Sequence, residues 1–193
     1  LGFRWWLLPA DEMVDLVDEE DVVVGTATLR DCLEKGLLHR AVDVLVLRTS
    51  GKLLLQRRSK RDRWHPGLWT LSSTGHVQSG ESYRDAAVRE LDEELGLRSP
   101  LRAITKLLLP PFTSRGLTER EWVSLFASKT DLTATIDPIE LESVEEVSLS
   151  RLTRMLSGHR LTPDSKVVLR AFLKSRLRRP GPPRLLSSGS GAC

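Results

Sequence analysis

The chain is poor in cysteine and has no long apolar run, and each shortage removes a class of protein. Two cysteines in 193 residues, Cys32 and Cys193, cannot make a disulfide framework. So sparse a use fits a reducing compartment, and a cytoplasmic location is the expectation. The mostly apolar stretches, such as 41–47 and 107–109, fall far short of the roughly 20 residues that cross a bilayer as a helix, so no membrane span is expected. The sequence opens on Leu1 rather than Met, so targeting is not judged from its beginning. No internal repeat is present. The 40% of apolar residues suffices for a core at this length, which sets aside a disordered or collagen-like chain.

The formal charge of +3 points at first toward nucleic acid. Residues 170–193, however, carry six basic side chains and no acid, and without them 23 basic residues face 26 acidic ones, a net −3. The basic character belongs to the C-terminal region, and no specific nucleic-acid partner is expected.

Three regions follow: an N-terminal extension at 1–12, a domain at 13–178, and a flexible Pro/Ser/Gly-rich tail at 179–193. Residues 11–21 read as an acidic segment. β-branched and apolar patterning predicts strands at 22–28, 41–48, 52–57, 101–109, 121–129 and 144–149, with a hairpin turn at Thr49 to Gly51. Helices are predicted at 82–95, with Ser82 as N-cap and Gly96 closing it, and at about 164–177. Strands and helices mixed in this order give an α/β layered domain.

The informative stretch is GHVQSGESYRDAAVRELDEELGL, residues 75–97. On a helix Glu90, Glu93 and Glu94 fall within an arc of roughly 100°, beside an apolar arc of Ala87, Val88, Leu91 and Leu95. Like charges at this spacing oppose the helix by a few tenths of a kcal/mol per pair. Arg89 can pair with Glu93, but one cation does not balance three carboxylates. A divalent ion does, and hard oxygen donors suit Mg2+ or Mn2+. The bland reading of the same residues is a solvated acidic face.

This segment matches G-x5-E-x7-R-E-U-x-E-E-x-G-U, with U aliphatic, at Gly75, Glu81, Arg89, Glu90, Leu91, Glu93, Glu94, Gly96 and Leu97. A chance match in a chain this long is on the order of one in ten million from ordinary residue usage. The chain therefore resembles a Nudix hydrolase. The resemblance implies a Nudix-like α/β/α sandwich with a mixed β-sheet, and water attack at phosphorus on a small-molecule diphosphate of nucleotide or related type. It also implies metal ligation by Glu90, Glu93 and Glu94, with Glu93 a candidate base beside Glu90, and supporting roles for Gly75, Glu81 and Arg89.

His39-Arg40-Ala41-Val42, Leu54 to Ser59, Pro66 to Thr70 and Gly75-His76 are similar to the Nudix branch that includes type 1 isopentenyl diphosphate isomerases. From that likeness His39, His76, Glu119 and Glu121 fall on four positions of a second metal site, with Cys32 on the fifth. Cys32 reads more readily as a small buried apolar residue than as a soft metal ligand. Thr74 stands where the isomerase has its catalytic cysteine and Asp164 where it has a tryptophan, and neither supplies the replaced chemistry. Within the basic run 57–63, Arg57, Arg58 and Arg63 are candidates for holding diphosphate oxygens, against the plainer reading of a solvated strand end. Trp64 and Trp69 read as packing residues, and His65 and His159 as surface residues. A homodimer is a further expectation. Beside the hydrolase stand two other readings, an isomerase of a prenyl diphosphate and a Nudix fold that binds without catalysis.

Overall fold

The computed structural model describes residues 12–61, 65–136, 138 and 141–177. The tail at 179–193, nearly all of the extension at 1–12, Arg63 and Trp64 lie outside them. Among the described residues no helix is long and apolar enough to cross a membrane.

The chain opens with an antiparallel pair, β1 (Met13–Val17) and β2 (Val23–Thr28), followed by α1 (Leu29–Lys35). The long strand β3 (His39–Leu47) turns into β4 (Leu53–Arg58) through a tight turn in which Gly51 N donates to Arg48 O. Two short strands, β5 (Trp69–Thr70) and β6 (Ser73–His76), lead to α2 (Tyr83–Leu95). Then come β7 (Leu101–Leu108), β8 (Phe112–Ser114), β9 (Leu117–Glu119), β10 (Glu121–Lys129) and β11 (Leu141–Val147). Two helices, α3 (Leu149–Ser157) and α4 (Pro163–Leu177), follow.

The main sheet has nine strands and is mixed. Its path runs β11-β4-β3-β1-β2, while β10 lies parallel to β3 and antiparallel to β7, and β6 also pairs with β3. Alternation along β3 divides the core. Ala41 and Leu45 join the cluster under α3 and α4 with Leu152, Val168 and Leu169, whereas Val42, Val44 and Val46 join α2 through Leu91 and Leu95. Each buried Val or Leu among them contributes about 1.5–3 kcal/mol. The layers are helix, sheet, helix, the α/β/α sandwich that the sequence implies.

Three local expectations change. The acidic segment at 11–21 contains β1, because Val14 and Val17 are buried and Asp15 is tied across to the loop before α2, accepting from Ser79 Oγ at 2.6 Å and Gly80 N at 3.2 Å. The strand expected at 144–149 lies at Leu141–Val147; Ser148 accepts from Arg151 N as an N-cap, so Leu149 begins a helix. Val88 is 49% exposed and Ala86 takes its place inside.

Candidate active site

α2 begins where Ser82 accepts from Asp85 N and ends at Gly96, whose φ of 61° closes the helix. Ala86, Ala87, Leu91 and Leu95 set the buried face, and at roughly 100° per residue Glu90 and Glu94 fall within that face rather than at its edge. Glu93 alone turns outward, its side chain 61% exposed. The Glu90 carboxylate lies against β6: a Cβ on Gly75 would sit 2.0 Å from Glu90 Cδ, so glycine is what lets the helix and strand meet.

Arg89 organises these acids. Its guanidinium reaches Glu81 at 3.0 Å, Glu90 at 2.7 Å and Glu93 at 3.2 Å, and donates to His76 O at 2.9 Å. Its pairing is thus broader than the single Glu93 contact that helix spacing suggests. Glu94 points into the sheet, accepting from Thr74 N at 2.9 Å and from Gln56 Nε2 at 3.3 Å. Burial and the neighbouring Glu94 charge push the Glu90 carboxyl up to about 8, against the pull of Arg89. Burial likewise raises Glu94 to about 7, against its hydrogen bonds and the charge of Arg58. Carboxylates so raised are short of positive charge, and hard oxygen donors in this state fit a divalent cation.

A second group is assembled by strand register. Glu121 on β10 is paired with His39 on β3, and Ala41 on β3 with His76 on β6. One ligand atom from each of His39, His76 and Glu121 lies within 4.8 Å of the others. His39 Nδ1 is 2.9 Å from Leu37 O, which leaves Nε2 facing Glu121 Oε1 at 3.6 Å, beyond hydrogen-bond length. His76 Nε2 is 3.4 Å from the same oxygen. Burial opposes charging here, yet the Glu121 carboxylate raises His39, and the two imidazoles outweigh burial to hold Glu121 near 2. A buried imidazole oriented through Nδ1, with an unpartnered Nε2 aimed at a carboxylate, is a donor set for a transition metal.

The other two positions of the expected second site lie outside this set of mutually close ligand atoms among the described residues. Glu119 lies on β9, paired with Phe112 in the separate two-stranded sheet. Cys32 is fully buried among Val14, Leu29 and Leu33, and burial pushes its thiol up to about 11, so it behaves as the apolar residue of the two readings.

Two further acids lie close by. Asp43 on β3 is buried and faces the charges of Asp164, Glu121 and Glu94; burial and those charges raise it well above the carboxylate range. Asp164, in the first turn of α4, is raised by burial and by Glu121, with Arg58 opposing, and its Oδ1 has no hydrogen-bond partner. Thr162 Oγ1 donates to Ser165 Oγ at 2.6 Å, and Ser165 Oγ is 3.3 Å from Asp164 Oδ2. Asp43 and Gln56 were not among the residues the motif singled out; a lone acid inside the apolar run 41–47 is the signal that marks Asp43.

The basic run divides. Arg57 turns away, its Nε donating to Gly67 O at 3.0 Å and its Nη1 3.4 Å from Glu142. Lys60 is 3.6 Å from Glu142. The charge of Arg58 lowers both Glu94 and Asp164, so of the run it is the cation that faces these acids. Trp69 packs on the core, His159 is exposed, and His65 is half-buried rather than at the surface.

The profile of the NUDIX domain matches residues 37–172. The chain is 34% identical over 148 residues to isopentenyl-diphosphate Delta-isomerase 2 of Photorhabdus laumondii, covering 77% of this chain and 84% of that one. It is 35% identical over 169 residues to an uncharacterized Nudix hydrolase of Pseudomonas aeruginosa, covering 84% and 94%. A solved structure from Deinococcus radiodurans superposes with a TM-score of 0.70 at 26% identity, covering 83% of this chain and 99% of the other. A MutT protein from Methanosarcina mazei superposes at 0.60 and 21%, covering 72% and 95%, which speaks to fold alone. The chain belongs to the Nudix family, in the branch similar to isopentenyl diphosphate isomerase.

Proposed function

We propose that the chain is a divalent-metal-dependent hydrolase that cleaves a diphosphate linkage in a nucleotide-type or related organic diphosphate, with water attacking phosphorus. The observation that carries this reading is the largely desolvated pair Glu90 and Glu94, with Glu90 packed against Gly75, both raised by burial and Glu90 further by the charge of Glu94. These two carboxylates, with Glu93 at the rim, would hold the ion. Bound Mg2+ or Mn2+ supplies neutralisation of charge on the bridging oxygens and a lowered pKa for coordinated water. Arg89 keeps Glu90 and Glu93 oriented through its bonds to both, and Glu81 fixes Arg89 in turn. Arg58, beside Glu94 and Asp164, is the guanidinium best situated to hold diphosphate oxygens. Glu90 and Glu93 are the two groups that could accept the proton of the attacking water.

One observation favours a second reading: the His39, His76 and Glu121 group lies on positions that the isomerase branch uses for metal. Against it stand Thr74, whose hydroxyl is a weak proton-transfer group, and Asp164, which offers no aromatic face to a carbocation. Phosphorus NMR separates the two. With Mg2+ or Mn2+, nucleoside diphosphate derivatives should give new phosphate resonances, and isopentenyl diphosphate should keep its own without rearranging. Rearrangement of the prenyl substrate with both phosphates intact would assign the isomerase, and no reaction with any substrate would leave the binding fold.

A further inference from the structure

A cavity of about 710 Å3, within the size range of ligand pockets, lies at the end of β3 opposite His39. It is bounded by the C-terminal ends of β3 and β10, the start of β7 and the last turns of α4. Leu47 is eight residues along β3 from His39, about 26 Å at the rise of an extended strand, so the two sites sit at opposite ends of the same strands.

Its lining has two parts. Leu47, Ile104 and Ala127 make an aliphatic floor over the core beneath α4. Arg102, Lys129 and Arg176 stand at the mouth, and among the described residues no acid lines it. Among the described residues none of these three cations has a carboxylate within ion-pair distance, and Arg176 lies over Phe172 at 5.7 Å. The fourth cation, Arg48, is already held by Glu146 at 3.0 Å and by the carbonyls of Thr130 and Leu132. Arg102 and Lys129 come from the net-acidic part of the chain and Arg176 from its basic C-terminal region; the charge of Asp131 reaches Lys129, but the lining side chains themselves are cationic and favour an anion.

What the cavity lacks narrows that anion. The Ser128 hydroxyl is bonded to Ser99 Oγ at 2.5 Å, Ser175 Oγ donates to Phe172 O at 2.7 Å, and Thr49 is tied to Asp131. Phe172 is only 3% exposed, so no ring face is open for stacking. Among the described lining residues no hydroxyl or aromatic ring is left to read a base, whereas an apolar chain meets a floor of matching chemistry. We propose that this groove binds a single-chain organic anion, with an alkyl or prenyl chain on the aliphatic floor and a phosphate or carboxylate head among Arg102, Lys129 and Arg176.

The test is calorimetric titration of the full chain with decyl phosphate, kept below its micelle concentration. Decyl glucoside tests the chain without the charge, and inorganic phosphate tests the charge without the chain. Two variants accompany the wild type, Arg102→Glu combined with Lys129→Glu at the mouth and Ile104→Asn on the floor, each checked by circular dichroism and by unchanged diphosphate hydrolysis. Decyl phosphate should bind at least ten-fold tighter than either control and lose at least ten-fold in each variant. Equal affinity for inorganic phosphate would reduce the mouth to a bare cationic patch and overturn the proposal. So would decyl phosphate binding that both variants retain, or sedimentation showing a dimer that the mouth variant splits, which would give the groove to a second copy of the chain.

Discussion

Gly75 shows at the scale of one residue why the motif specifies glycine. The Glu90 carboxylate occupies the volume that a Cβ would take, so any side chain at Gly75 must push Glu90 out or part α2 from β6. Gly75→Ala is expected to lower kcat at least 100-fold and to cost about 1–3 kcal/mol of stability, as overpacking usually does. Steady-state turnover and chemical denaturation check the two effects separately. The glutamates behave differently, because glutamine keeps their shape. Glu94→Gln should abolish metal-dependent cleavage yet raise Tm, since a buried carboxylate flanked by Glu90 is replaced by a neutral amide. Glu93→Gln should also abolish cleavage but leave Tm within a degree or two, its side chain being largely in solvent. Wild-type turnover in either variant would sink the assignment of these residues to the metal.

At the scale of elements, α2 was legible from sequence because its functional groups are contiguous: cap, carboxylates, apolar positions and closing glycine all lie within one run of residues. The strands β3, β4, β7 and β10 were legible by their β-branched and apolar content. The group of His39, His76 and Glu121 depends on which strands become neighbours, and the register that joins β3 to both β10 and β6 has no local signature. For the same reason only the likeness to the isomerase branch suggested it, together with Glu119, which lies on β9 just before β10. The helices α1 and α3 were missed because each is short and marked by little more than a cap at Thr28 or Ser148. Asp43 is the element-level conflict that remains: an acid within a buried apolar strand, facing Asp164, Glu121 and Glu94. Such conflicts cost stability and persist at functional sites. Asp43→Val should therefore raise Tm, with more than about 1 kcal/mol of added stability, and lower kcat/KM at least ten-fold. A variant that is both stabilised and fully active would remove Asp43 from the site.

Across the whole molecule the acids at the site couple folding to pH and to metal. Glu90 and Glu94 titrate near 4.5 in an unfolded chain and near 8 and 7 in the folded one, because burial disfavours their charged forms. Between those limits the folded state holds more protons than the unfolded state, so stability falls as pH rises from about 5 to 8. His39 adds to the same trend above its ordinary 6.5, since the proton it holds toward Glu121 is lost as pH climbs through its raised value. A divalent cation held by these residues would reverse the balance by favouring the ionised carboxylates, and would stabilise only the folded chain that assembles them. Calorimetry in chelator should show Tm declining across this window. Added Mg2+ should raise Tm little near pH 5 and progressively more toward pH 8, where the metal no longer competes with protons. A Tm difference between chelated and metal-loaded protein that stays constant from pH 5 to 8 would mean that the ion binds elsewhere than at Glu90 and Glu94. Repeating the scan on Glu94→Gln should flatten both the decline and the metal-dependent gap, which ties the behaviour of the whole fold to that pair of side chains.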